Sequence, residues 1–478
     1  MNNKIGYVNA MELEVIKNKV LDERVAQIRS TPNMEIPVDA TVYYVSQNGN
    51  DDNLGTSPEC AWKTPAKLNE VVLEAGSYVC FERGGIYRGN ICMQNGVTYT
   101  AYGQGEKPRL YASPENGAVA QKWHKSSVEN VWYYEIENED VGTLVFNDGE
   151  ACAVKVLPKT NSDGSVTDLT TMKLFGGIED IKEDLMFYHA HEENKVYLYS
   201  EQNPGERFES IEFNTKGHIF RGHMDNFDIN VDNLCLKYCG SHAIGLVHNT
   251  VGLCVTNCEF EWIGGSIQSN STRYGNAIEL WESCDRFIVE NCSFYQIYDA
   301  AMTPQFVMPQ KDVAPEGYAC CMKNIKFSNN VVECANYPVE YFLHGIWEGN
   351  PSGIYGFEIS DNLFFDAGEG FSYQRPDRTE AAHIKSWTAH CILRDYVVKN
   401  NIMCQSKNML VHIHPQYPGY DAGDCLPVFE GNIIIGREGD SFGMLEQSAV
   451  HNRQVYDEKI VDYLGEKCIN NQLLFLVD

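Results

Sequence analysis

Between about Phe227 and Gln447, apolar and polar positions follow one short pattern that returns seven times. Two alternating apolar residues lead to an Asn or another small polar residue, and a second alternating apolar run follows. The copies read FDINVDNLCL, LCVTNCEF, FIVENCSF, IKFSNNVV, FEISDNLF, YVVKNNIM and PVFEGNII. Aligned on the turn, they put Asn233, Asn257, Asn291, Asn329, Asp361, Asn400 and Gly431 in one column. Leu234, Cys258, Cys292, Asn330, Asn362, Asn401 and Asn432 fill the next. Steps along the first column are 24, 34, 38, 32, 39 and 31 residues, so a constant core carries loops of varying length.

Period-two alternation on both sides of a break predicts two short strands meeting at a sharp bend. Asn tolerates the left-handed conformation such a bend needs, and stacked Asn side chains at the bend can bond from rung to rung. One strand-bend-strand unit per 20–40 residues is the mark of a solenoid. No copy shows a 3.6-residue period, which excludes helical repeats. The pattern therefore predicts an all-β parallel β-helix, with Asn291, Asn329 and Asn400 at one shared bend.

Outside the repeat the periodicity changes. Leu13, Val15, Ile16, Val20, Val25 and Ile28 space a helix over Ala10 to Arg29, expected to cap or strap an open end of the solenoid. A dimer contact is the alternative use of that face. A strand at Val42–Ser46, a Gly/Asn/Asp turn cluster and a helix at about Pro65–Glu74 come next. From Gln121 to Phe213 the repeat is absent. Six short runs (VWYYEIE, GTLVFN, CAVKVL, LMFYHA, KVYLYS, SIEF) predict a small β-sandwich-like insertion. QVYDEKIVDYLGEK, about Gln454–Lys467, reads as a short amphipathic capping helix. The resulting division is 1–40 strap, 41–120 first coils, 121–215 insertion, 216–448 β-helix core and 449–478 C-terminal cap.

Composition narrows the partners. A net charge of −29 argues against nucleic acid and an anionic membrane surface, and weighs against a polyanionic substrate. The 17 cysteines include no CxxC pair, and several fall at inward ladder positions, where Cys acts as a small hydrophobe. With no signal peptide and no 18-residue apolar run, a reduced cytoplasmic protein is the expectation. Monomer and homo-oligomer stay open.

Each coil also carries a third strand: HAIGLVH, NAIELWE, AAMTPQF, VEYFLHG, GFSYQR, MLVHIHP and SFGMLEQ. Alternation sends Ile278, Leu280, Met302, Tyr341, Phe371 and Val411 inward. One outward row is then Gly245, Glu279, Thr303, Glu340, Ser372 and His412. A second is Trp281, Gln305, Phe342, Gln374 and His414. Stacked carboxylates and aromatics of this kind suit a sugar-binding trough. Long loops at Val307–Lys323, Pro376–Asp395 and Gly265–Gly275 flank it.

Glu279 and Glu340, two rungs apart, have backbones roughly 9–10 Å apart, and their carboxyls can span the roughly 6.5–9.5 Å of an inverting glycosidase. Asp299, in the turn before the intervening strand, can approach either within roughly 5–6 Å, the retaining arrangement. Glu340, Asp299 and Glu279 are thus the catalytic candidates, each with the alternative of a surface carboxylate in an ion pair. Arg375, Asp377 and His383 follow in GEGFSYQRPDRTEAAHIKSW. With Trp281, Gln305, Phe342, Gln374, His412 and His414 they are the substrate-binding candidates. Arg375 paired to Asp377 as a loop clasp is the structural alternative. Closed-type zinc spacing is absent, no cofactor is expected, and Ca²⁺ is conceivable without being indicated. No Lys falls on the outward rows, which disfavours a Lys-based lyase.

The N-terminal phrases NGNDDNLGTSPECAWKT and FERGGIYRG, with the ladder, resemble carbohydrate-active parallel β-helix proteins. The layout is similar to intracellular β-helix glycoside hydrolases, such as β-xylosidases with an inserted β-sandwich. That resemblance implies a right-handed helix, acid and base carboxylates on neighbouring coils, and hydrolysis of a short, largely neutral oligosaccharide. The paired-Asp and GHG motifs of β-helix polygalacturonases do not occur. A polysaccharide lyase or uronate epimerase is the first alternative, and a non-catalytic carbohydrate-binding β-helix the second.

Overall fold

A computed structural model of the chain describes residues 3–347, 349–376, 380–387, 392–413, 426–437, 441–444, 454–456 and 464–477. The alternation produces a parallel β-helix. Eleven strands, from Val42–Val45 through Thr98–Tyr102 to Val428–Glu430 and Cys468–Ile469, stack in one sheet. The second and third strands of the coils stack in a 22-stranded sheet. Their inward residues form one continuous apolar core from Val45 to Leu473.

The bend column behaves as the pattern requires. Asn233, Asn257, Asn291, Asn329, Asp361 and Asn400 all have φ between 53° and 59°, and Gly431 has 67°. Asn470, at 54°, makes an eighth copy within CINNQLLF. The expected amide ladder forms mainly one position later. Asn330, Asn362, Asn401, Asn432 and Asn471 are buried, and each side-chain oxygen accepts the backbone N–H of the preceding coil's residue at 2.9–3.0 Å. Each side-chain amide also donates to a main-chain carbonyl, such as Ile359 O from Asn401. The reason is direction: the bend residue lies at the surface, open to solvent except at Asn233, which the N-terminal segment covers, whereas the following residue turns inward, where an unpaired amide would be costly.

The N-terminal segment is a strap along the solenoid. Lys4–Asn9 pairs in parallel with the last strand, Gln472–Val477, covering its edge. Helical residues Ala10–Arg29 then run back along the outer face, with a π-helical stretch at Ile16–Leu21. Lys17 meets Asp366, Arg24 reaches Asn329 O, and Arg29 pairs with Glu259. Twenty helical residues span about 30 Å, close to six rungs of about 4.8 Å. Val8, Leu13, Leu21 and Ile28 bury against Val331, Leu363, Phe365 and Ile435.

The insertion forms a five-stranded sheet of Trp123–Lys125, Val131–Glu135, Lys195–Tyr199, Met186–Ala190 and Val154–Lys155. It packs through Trp123, Tyr134, Phe187 and Leu198 onto Leu144, Phe146 and Phe213. The strands bearing those last residues, Val141–Phe146 and Ile211–Thr215, join the solenoid sheet, so the insertion's second layer is the solenoid itself. Of the expected helices, Pro65–Glu74 holds only a short 3-10 turn at Pro65–Asn69. Of the one expected at Gln454–Lys467, Gln454–Tyr456 is a strand paired antiparallel to Ser441–Met444, and 457–463 lie outside the described residues. Among the described residues 15 cysteines are free, and no helix is long and apolar enough to cross a membrane.

Candidate active site

Register builds the outward row from strand pairing alone. Gly245 pairs with Glu279, and Glu279 with Thr303. The pairs Met302–Val339 and Gln305–Phe342 set Thr303 level with Glu340. Glu340 then pairs with Lys385, and Lys385 with His412. Trp281, Gln305 and Phe342 form the second row, their rings meeting edge-on with 6.1 Å between the Trp281 and Phe342 centroids.

Glu279 is surrounded by neutral donors. Its Oε2 accepts from Asn276 Nδ2 at 2.7 Å and from Gln305 Nε2 at 2.8 Å, and His242 Nε2 lies 3.2 Å away. The Asn276 backbone N–H donates to His242 Nδ1 at 3.0 Å, which leaves the ring hydrogen on Nε2, facing the carboxylate. Burial holds His242 neutral, its pKa pulled down to about 4. Burial also pushes Glu279 up to about 7, against the opposing bonds from Asn276 and Gln305.

Glu340 sits among charges. Burial first, and then the negative charge of Asp299, push its carboxyl up to about 8, while Trp387, Arg375 and Lys385 oppose the rise. The Trp387 indole N–H donates to Glu340 Oε1. Arg375 Nη1 pairs with Asp299 Oδ1, a contact of two buried groups that favours the ionised carboxylate. Asp299 lies at an irregularity between Ile297 and Ala300, and Ala300 pairs with Tyr337, so Asp299 and Glu340 belong to adjacent coils. Lys385 Nζ donates to Glu380 at 2.8 Å and to His412 Nδ1 at 2.7 Å, and lies 3.8 Å from the Trp387 ring centroid.

Glu279, Asp299, Glu340, Trp281, Gln305, Phe342, Arg375 and His412 thus gather on one face or its edge, whereas other expected positions move. GFSYQR is not a rung: Gly370–Gln374 is a 3-10 turn, and Phe371 packs on Tyr298 and Trp262 beneath the insertion. Ser372 therefore leaves the row. Gln374 donates to Ala153 O and accepts from Lys155 N, tying this turn to the insertion instead of meeting a ligand. His383 lies inside the coil, stacked on Phe364, because the true rung is Ile384–Ser386. That rung brings in Lys385 and Trp387, so the row does contain a lysine. Asp377 and His414 fall outside the described residues.

Two clusters of described residues bring metal-ligating atoms within 4.8 Å of one another, Asp140 with His189 and His191, and Glu333 with Cys334 and Asp366. Neither is on the outward rows. In the first, Lys155 Nζ lies 2.5 Å from both Asp140 oxygens, where a cation would sit.

No family model matches the sequence. A lacto-N-biosidase of Bifidobacterium longum subsp. longum is 29% identical over 141 residues, 27% of this chain and 9% of that protein's length. The chain therefore spans under a tenth of that relative. Among solved structures, XylC in complex with xylose covers 91% of this chain and 82% of its own at 13% identity, with a TM-score of 0.44. A glycoside hydrolase covers 91% and 96% at 10% identity and 0.45. A GH136 lacto-N-biosidase from Eubacterium ramulus covers 98% and 71% at 10% and 0.36.

Proposed function

We propose that the chain is a glycoside hydrolase cleaving a short oligosaccharide whose sugars at the scissile bond are neutral. Glu340 is the general acid and Asp299 its carboxylate partner. One observation carries this reading: the buried Glu340 carboxyl, pushed up to about 8, lies one coil from Asp299, which is paired with Arg375. Two carboxyl groups pushed to opposite protonation states are what acid-assisted glycoside cleavage requires. Trp281 and Phe342 offer aromatic faces for sugar rings beside them. Neutral sugars fit because the site's cations are already matched, Arg375 by Asp299 and Lys385 by Glu380.

Adjacent coils suit the closer, roughly 5–5.5 Å carboxyl spacing, so retention of anomeric configuration is expected, with Asp299 as nucleophile. Protonated Glu340 gives its proton to the leaving glycosidic oxygen as the C–O bond breaks, and Asp299 attacks the anomeric carbon. Water then displaces Asp299 after losing its proton to Glu340. Glu279, presented by Asn276, Gln305 and His242, holds sugar hydroxyls one coil before Thr303. Proton NMR of the first product from aryl glycosides and neutral oligosaccharides tests this. A retained anomer supports it, and hydrolysis undiminished in Asp299→Asn overturns it.

Lys385 on the row favours a second reading, a polysaccharide lyase. Burial lowers its pKa, as a general base needs, but its ammonium is already paired with Glu380 and would have to leave that pair to act on a uronate. Formation of ultraviolet-absorbing unsaturated uronates would establish that reading. Free, mostly buried cysteines support a reducing, cytoplasmic setting. Non-reducing mass spectrometry showing intramolecular disulfides would refute it.

A further inference from the structure

The outward row extends beyond the carboxylates. On the N-terminal side of Glu279 come Gly245, then Arg221, then Cys92. Arg221 is four rungs from Glu340, roughly 19 Å along the axis. It is exposed, and among the described residues no carboxylate pairs with it, unlike Arg375 and Lys385. In a chain of net charge −29, an unmatched guanidinium on the trough floor is a local reversal of sign.

His218 sits beside it. A β-carbon at Gly245 would lie 2.3 Å from His218 Cδ2 and 2.5 Å from Nε2, so this glycine exists to let the imidazole lie across the row. The ring meets His242 edge-on, centroids 5.2 Å apart, and links the Arg221 end to the Glu279 end. Burial, His242 and Arg221 together keep it neutral, its pKa pulled down to about 3. A neutral imidazole can donate to an oxygen without adding charge. Val247, 48% exposed, continues the second row from Trp281 towards His223.

We infer that Arg221 and His218 form a distal subsite for a carboxylate on the oligosaccharide, a uronate held two coils before Glu279. The proposal takes its direction along the trough from the glycosidase reading, but the subsite is a binding site whether or not a bond is cleaved. Arg221 supplies the charge-assisted hydrogen bonds, His218 a neutral one, and Val247 apolar support for the ring.

Titration calorimetry on the full chain tests it, using a tetrasaccharide ended by glucuronic acid and its glucose-ended counterpart. The acidic probe should bind about tenfold more tightly at low salt, the size of a charge-assisted bond. Arg221→Ala should abolish that preference, His218→Ala reduce it, and about 1 M salt suppress it by screening. Equal affinity for the two probes, or a preference surviving in both variants, overturns the subsite. Inorganic sulfate displacing the acidic probe where acetate does not would reassign the ligand to a sulfated sugar and overturn the uronate. Because the readout is binding, absence of glycosidase activity would leave this result standing.

Discussion

Two stacks of buried polar side chains run along this solenoid, one at the inner bend and one on the outer face. The inner stack repeats a single amide, and each Asn is satisfied by the next coil and a nearby carbonyl. The outer stack changes at every rung, from Gly245 through Glu279, Thr303 and Glu340 to Lys385 and His412. Apart from the Lys385–His412 bond, its partners come from outside the row: Asn276, Glu380 and Trp387. A repeated, self-satisfied stack contributes stability and register. A stack of unlike groups that depends on loops keeps carboxyls away from their ordinary pKa values, the condition that the proposed acid catalysis needs.

The contrast can be broken experimentally. The largest effect is expected from Glu340→Gln, a loss of at least about a hundredfold in turnover, the usual size of an acid contribution, with thermal stability little changed. In the parent enzyme turnover should fall as pH rises through about 8, because the acid must be protonated. A flat profile from neutral to mildly alkaline pH would remove Glu340 from that role.

Glu279 should mark stability instead. Its folded pKa of about 7 lies above the unfolded value near 4.5, so the folded state binds the extra proton, and stability is lost as pH rises between those values. The loss is at most about 3–4 kcal/mol. Glu279→Gln should remove that share, so that urea midpoints at pH 5 and pH 8, about the ends of that window, lie closer together than in the parent, with Glu340 supplying part of what remains. Midpoints that still diverge as in the parent would contradict the assignment.

For the inner stack, Asn401→Ala strands Asn362, Asn432 and Ile359 O, and should cost about 2 kcal/mol without altering turnover per folded molecule. The smallest change is expected at Thr303. Its hydroxyl donates to Gln305 Oε1 at 3.3 Å, so Thr303→Val should cost about 1 kcal/mol or less. A larger loss would mean that the outer row carries the fold as the inner one does.

Legibility follows the same division. The bend column could be read because every copy needs the same left-handed residue, and the eighth copy, INNQLL, was present in the sequence as well. Glu279, Thr303 and Glu340 followed from alternation once the strands were placed. Lys385 did not. Phe371 follows Asp361 by ten residues, as Val339 follows Asn329, so GFSYQR took the place of the rung. The chain instead makes an excursion there, as it does at the Ser266–Tyr274 hairpin, and returns at Ile384. The misleading signal was Phe371, whose apolar partner is the underside of the insertion, a surface absent from any period-two pattern. The neutral donors around Glu279 were equally hidden, because His242 and Asn276 come from loops that alternation does not orient.

The strap has a consequence for how the chain is made. Asn3 hydrogen-bonds to Asn471, and Lys4–Asn9 has its strand partner at Gln472–Val477. Residues near the start of the chain thus leave the ribosome long before their partner exists, and must wait without it while the coils stack. Closing a loop of this length adds entropic cost only logarithmically, but it cannot begin until Gln472–Val477 has been made. Arg29 and Arg24 can meet Glu259 and Asn329 as soon as those coils stack, so the strap docks in two stages, its helix first and Lys4–Asn9 only when Gln472–Val477 is in place. A chain stopped before Gln472 would leave the backbone of Lys4–Asn9 unpaired and Val8 without Leu476 beside it, an edge open to association.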